Sequence, residues 1–257
     1  MKKHLIPIII GILFIPNFLF ADIITFKLGY FIPRANGELW ESEVAHLTFN
    51  RSSFNSFSFC LGYEFFLSDK ISLALNLEGF SKKARGYYKV NMIYSEKNEE
   101  GREIELFVPY DQKKEFFRYK HEFRVGITPI LVSAKVYPLG RTRRLHPFLG
   151  GGTGLYLWSA AVDGAWFDFR DERTYHDEDS NEDVSGYLIE YEVQSENKVT
   201  IGWHLLGGVM LPIGKKLTFD LELKHYFAEG KFSEFFSNFG SFDISGFQIF
   251  IGLNYVF

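Results

Sequence analysis

A single cysteine, Cys60, in 257 residues excludes an intramolecular disulfide framework and leaves no cysteine cluster for a zinc or iron–sulfur site. Positive charge is scarce as well. The 28 Lys and Arg against 32 Asp and Glu give a formal charge of -4, the wrong sign for a face that meets nucleic-acid phosphates. Beyond residue 22 no apolar run reaches the roughly 20 residues that a membrane-spanning helix needs. What the chain does carry is aromatic mass, with 29 Phe, 14 Tyr and 4 Trp, far more than a disordered chain holds.

The first segment reads as a targeting signal. Met1, Lys2 and Lys3 are a basic start, Leu5 to Phe20 is nearly all apolar, and Ala21 then precedes the polar Asp22. Pro7 and Pro16 spoil the alternative, an N-terminal membrane helix. The expected organisation is a cleaved secretory signal over 1–21 and one domain over 22–257.

After residue 22 apolar residues alternate with polar or small ones at period two, the mark of strands. In the clearest case Leu217, Phe219, Leu221 and Leu223 share one face, with Thr218, Asp220, Glu222 and Lys224 on the other. The same alternation predicts strands over 24–30, 57–67, 71–77 and 246–257, and noisier ones over about 123–138, 146–162 and 199–212. Pro129 and the run Gly150-Gly151-Gly152 predict bends or bulges. A soluble β-sandwich alternates too, but it has fewer large aromatic faces and more polar outward positions. The connections also argue against it: links at 68–70, 140–145 and 214–216 are short, whereas those at 34–53, 82–122, 163–198 and 229–243 are long. Short turns at one end and long loops at the other are the plan of an outer-membrane barrel. The expected fold is therefore all-β, an eight-stranded antiparallel up-and-down transmembrane β-barrel with extended extracellular loops.

The final residues Gly252-Leu253-Asn254-Tyr255-Val256-Phe257 resemble the terminal signal of bacterial outer-membrane proteins. Lys135-Val136-Tyr137-Pro138 and the stretch Pro147 to Tyr156 resemble the fourth and fifth strands of small OmpA- and OmpW-like barrel domains. The resemblance implies a Gram-negative outer-membrane protein with both termini periplasmic. Its implied partners are the outer-membrane bilayer, lipopolysaccharide, and the barrel assembly machinery, which would read Gly252, Tyr255 and Phe257. It implies no cofactor. Tyr30, Phe65, Tyr137, Trp158, Trp203, Tyr226 and Phe257 are candidates for interfacial girdles.

An eight-stranded barrel is wide enough for its own side chains or one small ligand. Strand parity puts Lys27, Glu64, Glu78, Lys135, Asp220, Glu222 and Lys224 inside, where charges must pair. Either they form a structural plug, the favoured reading, or they line a gate. Tyr87–Tyr94 and Arg102–Val108 alternate about a turn at 98–101, and 160–170 and 187–193 repeat the device, so four strands are expected to continue beyond the membrane. The acidic run 171–183 lacks EF-hand spacing and reads as a solvated tip. Lys82, Lys83, Arg85 and Lys89 either meet lipopolysaccharide phosphates or are ordinary surface charges, two readings of equal weight.

Catalysis finds little support. The segment Lys224 to Ala228 resembles the His-x-Ser of outer-membrane lipid A deacylases, but Phe227 replaces the nucleophilic serine. His204 faces inward, near the expected height of Cys60 or Glu64, without a role that spacing assigns. The reading favoured is a non-enzymatic outer-membrane barrel with a filled lumen, whose loops serve surface interaction or membrane stabilisation. An OmpW-like conduit for small solutes and a lipid-modifying enzyme are the alternatives.

Overall fold

A computed structural model describes residues 23–90, 92–97, 103–108, 116–141, 144–177, 181–234 and 236–257. The expected targeting segment and the turn at 98–101 lie outside them. Eight strands close into an antiparallel barrel: β1 (Ile23–Pro33), β2 (Ser56–Phe66), β3 (Ile71–Val90), β6 (Phe116–Val136), β7 (His146–Asp177), β8 (Glu182–Pro212), β9 (Leu217–Phe227) and β12 (Gly246–Val256). Each pairs with its neighbours in sequence, and β12 returns to β1 with Lys27 opposite Gly252, so no barrel strand is left as an edge.

The alternation has the polarity of a protein dissolved in lipid. On β1 the outward Ile24, Phe26, Leu28 and Tyr30 are 40–59% exposed, while Thr25 and Lys27 are buried. The same holds on β12, where Ile251 and Leu253 are each 54% exposed and Gln248 and Asn254 are inside. An apolar belt therefore surrounds a polar interior. No helix among the described residues is long and apolar enough to cross a membrane, which says nothing about strands.

One end of the barrel carries the turns at 67–70, 137–145 and 213–216, together with both strand termini. At the other end β3, β6, β7 and β8 run on past the belt. β4 (Met92–Lys97) and β5 (Glu103–Val108) form the hairpin expected there, and β5 joins β8 at Leu106–Leu188 and Phe107–Tyr187. From Leu157, on the last apolar row of β7, to Asp177 the strand climbs roughly 60 Å along its own axis.

Three local expectations need correction. The triple glycine makes no bulge: β7 stays in register with β8 from His146 to Phe167, and the shifts fall at Tyr87/Lys89 and Phe167/Glu172. The glycines serve close approach instead, since a Cβ on Gly152 would sit 1.9 Å from the Val132 carbonyl oxygen. At Pro129 the β3–β6 register skips the pairs of Glu78 and Gly79 but resumes unchanged, because proline has no N–H to give. Finally, Tyr137, Trp158 and Tyr226 are at most 3% exposed and point inward, so they belong to no girdle; Tyr30, Trp203 and Phe257 do face outward.

Two of the long loops, which have no strand periodicity, fold back over the barrel mouth. The first holds helix α1 (Glu38–His46) and a 3₁₀ turn at Arg51–Phe54, whose Asn50 side chain caps Ser53 N–H. The last holds the short pair β10 (Glu229–Lys231) and β11 (Ser241–Asp243).

Candidate functional site

All seven charged residues expected inside are there, each no more than 3% exposed. They form one ion-pair unit across the lumen. Glu222 is its hub, with Lys27 at 2.7 Å, Lys224 at 3.1 Å and Lys135 at 3.6 Å. Lys27 also donates to Asp220 at 2.8 Å, Lys135 to Glu64 at 2.9 Å, and Lys224 to Glu78. Tyr hydroxyls complete the carboxylate shells, Tyr137 at 2.5 Å from Glu64 and Tyr226 between Glu78 and Gln248. Ser72 adds a hydroxyl to Glu64 at 2.5 Å. Three cations face four carboxylates, so the unit keeps one net negative charge, and Asp220 Oδ1 meets no protein donor.

The terminal glycine has a place in this unit. A Cβ on Gly252 would lie 2.7 Å from Lys27 Cγ, so its absence lets the lysine stem pass along the β12 wall toward Asp220. Tyr255 and Phe257, by contrast, face outward at the short-turn end, with their rings 5.1 Å apart and edge to face.

His204 finds neither Cys60 nor Glu64, as its height had suggested. Its Nε2 is 2.7 Å from Ser133 Oγ, and its Nδ1 meets no partner. A serine beside an imidazole is the start of a nucleophilic pair, but both are fully buried and no carboxylate orients the ring. His225 lies on the outer wall with its ring 4.3 Å from that of Phe227, the residue occupying the serine position. Cys60 is buried beside Asn76.

Above the ionic layer the lumen is filled by an aromatic core that the alternation pattern did not reveal. Trp40 of α1 stacks on Phe242, with centroids 5.5 Å apart, and meets Phe54 and Phe123 edge-on at 4.8 and 5.4 Å. Its indole N–H donates to the Asp243 carbonyl at 3.0 Å, and Arg34 pairs with the Asp243 carboxylate at 2.9 Å. Trp158 of β7 stands 5.3 Å from Phe242 and 5.4 Å from Phe232. At the opposite end Ile23, Phe66, Tyr137, Phe148, Leu206 and Met210 close a smaller cluster. Between the ionic and aromatic layers the space lined by Phe31, Glu78, Phe80, Ile127, Tyr226 and Gln248 is about 10 Å³, room for one water at most.

Outside the lumen two carboxylates are held low. Lys83 hydrogen-bonds Glu122 and, with Arg85 at 2.6 Å, keeps its carboxyl below the usual carboxylate range. Burial pushes Glu196 up, but hydrogen bonds from Lys198 and from Ser233 N–H outweigh it and leave the group lowered. Among the described residues no group of His, Cys, Asp and Glu is arranged to hold a metal ion.

No family model and no curated protein matches the chain. Its fold is similar to solved barrels at low identity. Neisserial surface protein A shares 13% identity with a TM-score of 0.45, covering 92% of this chain and 97% of that one. The outer membrane protein OprG from Pseudomonas aeruginosa shares 10% at 0.44, covering 93% and 96%. The N-terminal β-barrel domain of Pseudomonas aeruginosa OprF shares 9% at 0.39, covering 92% and 97%.

Proposed function

We propose that the chain is a non-enzymatic outer-membrane barrel closed to solutes, with both termini in the periplasm and its β-structured extensions outside for surface contact. The lumen carries this reading. It is filled twice over, by an ion-pair layer and by an aromatic layer above it, and the space between the two, beside Glu78 and Tyr226, is about 10 Å³, room for one water at most. The apolar belt, whose outward side chains run from 37% exposed at Ile32 to 83% at Phe57, supports placement in a bilayer. In this reading the barrel assembly machinery inserts the chain through Gly252, Tyr255 and Phe257, and lipopolysaccharide forms its outer-leaflet surroundings.

The test is conductance. Refolded protein in planar bilayers should give no sustained current steps, and vesicles containing it should not swell in small sugars or amino acids. Stable steps from the unaltered protein would overturn closure. One observation favours an OmpW-like conduit as a second reading: the wall lacks two backbone pairs where Glu78 and Gly79 pass Thr128 and Pro129. Uptake of a small apolar solute through the wall, with ionic conductance still absent, would select it.

A further inference from the structure

The outer wall carries a feature that closure of the lumen does not explain. Outward residues of β3, β6, β7 and β8 form rows across the strands. The last apolar row includes Thr128, Leu157 and Val199, with Leu157 40% and Val199 59% exposed. The next row is Ser81, Gly126, Ser159 and Asn197, all small or polar. Above that, Lys83 stands opposite Arg124, and Arg85 opposite Glu122. The small row is a notch: a groove of about 480 Å³ opens there, lined by it and by Leu157 and Val199 below. A Cβ on Gly126 would already lie 2.7 Å from Ser159 Oγ, so larger side chains would fill it.

Charge over the notch is one-sided. Lys83 and Arg85 share the Glu122 carboxylate with Lys120, 3.4 Å from it, and Arg124 is exposed with no ion pair among the described residues. Asp163 stands next to Glu122 on β7, so four cations meet two carboxylates. Lys83 and Arg124 sit two rows beyond the apolar belt, about 13 Å along tilted strands and so roughly 10 Å in height, where headgroups begin.

We propose that this notch binds the phosphate of an outer-leaflet lipid of the lipid A class, held by Lys83 and Arg124 from above. Its acyl chain lies on Leu157 and Val199. The proposal rests on the outer-membrane reading and deepens it from a general lipid contact to one site. Charge complementarity calls for an anion, and the apolar row beneath calls for an amphiphile, not free phosphate. Arg124 supplies a planar fork for two phosphate oxygens, and Lys83, whose ammonium donates to Glu122 in this structure, has to swing down on its flexible stem to reach a third.

The test uses folded, full-length protein in detergent micelles, with bisphosphorylated lipid A and the same lipid stripped of phosphate as probes, read by native mass spectrometry. Bisphosphorylated lipid should bind at least about tenfold more tightly, as charge-assisted phosphate contacts supply. Lys83→Gln with Arg124→Gln should abolish that preference, whereas Lys215→Gln with Lys216→Gln, at the far end, should keep it. Ser159→Leu, which fills the notch and leaves every charge, should weaken binding of the phosphorylated lipid as well. Each variant is first checked for outer-membrane fractionation and for a heat-dependent gel shift. Equal binding of the two lipids, the same loss in both double variants, or displacement of the lipid by millimolar inorganic phosphate would overturn the site. If the folded protein is in the outer membrane but shows no preference, only the site fails; if it is never found there, both readings fail.

Discussion

Replacing Lys27 by Met tests the ionic layer at its most exposed dependency. Methionine keeps the stem that runs beside Gly252 but removes the ammonium 2.8 Å from Asp220 and 2.7 Å from Glu222. Glu222 retains Lys224 and Lys135, whereas Asp220 has no second ion pair among the described residues, Lys135 acting on it only at longer range, and already has one oxygen without a donor. The substitution therefore strands one fully buried carboxylate and takes the layer from one net negative charge to two. Breaking a buried pair from one side costs about 3–5 kcal/mol, against roughly 0–1 for an exposed one. Adding Asp220→Asn removes the stranded charge, so the double variant should recover a large part of the loss. The measurement is equilibrium unfolding in guanidinium from lipid vesicles, run as a double-mutant cycle. Losses that add within about 0.5 kcal/mol would refute the coupling, because that is how independent sites behave.

Three further outcomes follow from particular contacts. Gly152→Ala should sharply reduce the heat-modifiable folded fraction, since the new methyl has the Val132 carbonyl 1.9 Å away; normal folding would show that β6 and β7 are not in this register. Deleting Phe257 should slow insertion by the assembly machinery more than it lowers the stability of inserted protein, and equal effects on both would count against a signal role. Glu196 ties the last mouth loop to β8 through Ser233 N–H at 2.7 Å, and its lowered carboxyl makes that tie complete above the ordinary value of 4.5 and progressively lost as pH falls below it. Amide exchange in residues 228–245 should therefore rise as pH falls below 4.5, relative to the intrinsic rate, with the step absent in Glu196→Gln. A pH-independent ratio in the parent protein would remove the carboxylate from the account.

The barrel was legible because lipid leaves a period-two stripe on every strand, and a one-residue error in parity would have turned all seven inward charges outward. The same rule, applied evenly, would have placed Tyr137 with Lys135, and Tyr226 with Lys224. Reading them as girdle rings gave residue type precedence over position, and the structure puts both hydroxyls on carboxylates. Parity also marks Arg124 and Lys120 as outward companions of Lys83 and Arg85. They were missed because β3 and β6 come together only across a long loop, whose length hides the register. The aromatic mouth had no such signal. Trp40, Phe54, Phe232 and Phe242 sit in segments without periodicity, and nothing local tells a loop aromatic that packs from one that does not.

Both layers of the lumen join the two ends of the chain, and that bears on when they form. Lys27 meets Asp220 and Glu222 at sequence separations of 193 and 195, and Trp40 meets Asp243 at a separation of 203. Neither contact can exist until β1 has paired with β12, because an open sheet holds its first and last strands apart. Before closure Lys27, Asp220 and Glu222 would each need water, and the rings of Trp40 and Phe242 would lack their partners. Closure would thus bring several of these groups to their partners at once, so the seam between β1 and β12 is expected to form cooperatively. In a barrel filled this way, side-chain contacts across the lumen add to the backbone ladder in holding the strands together. In the closed barrel proposed above, the outer wall and the projecting strands are the surfaces on which other molecules would act.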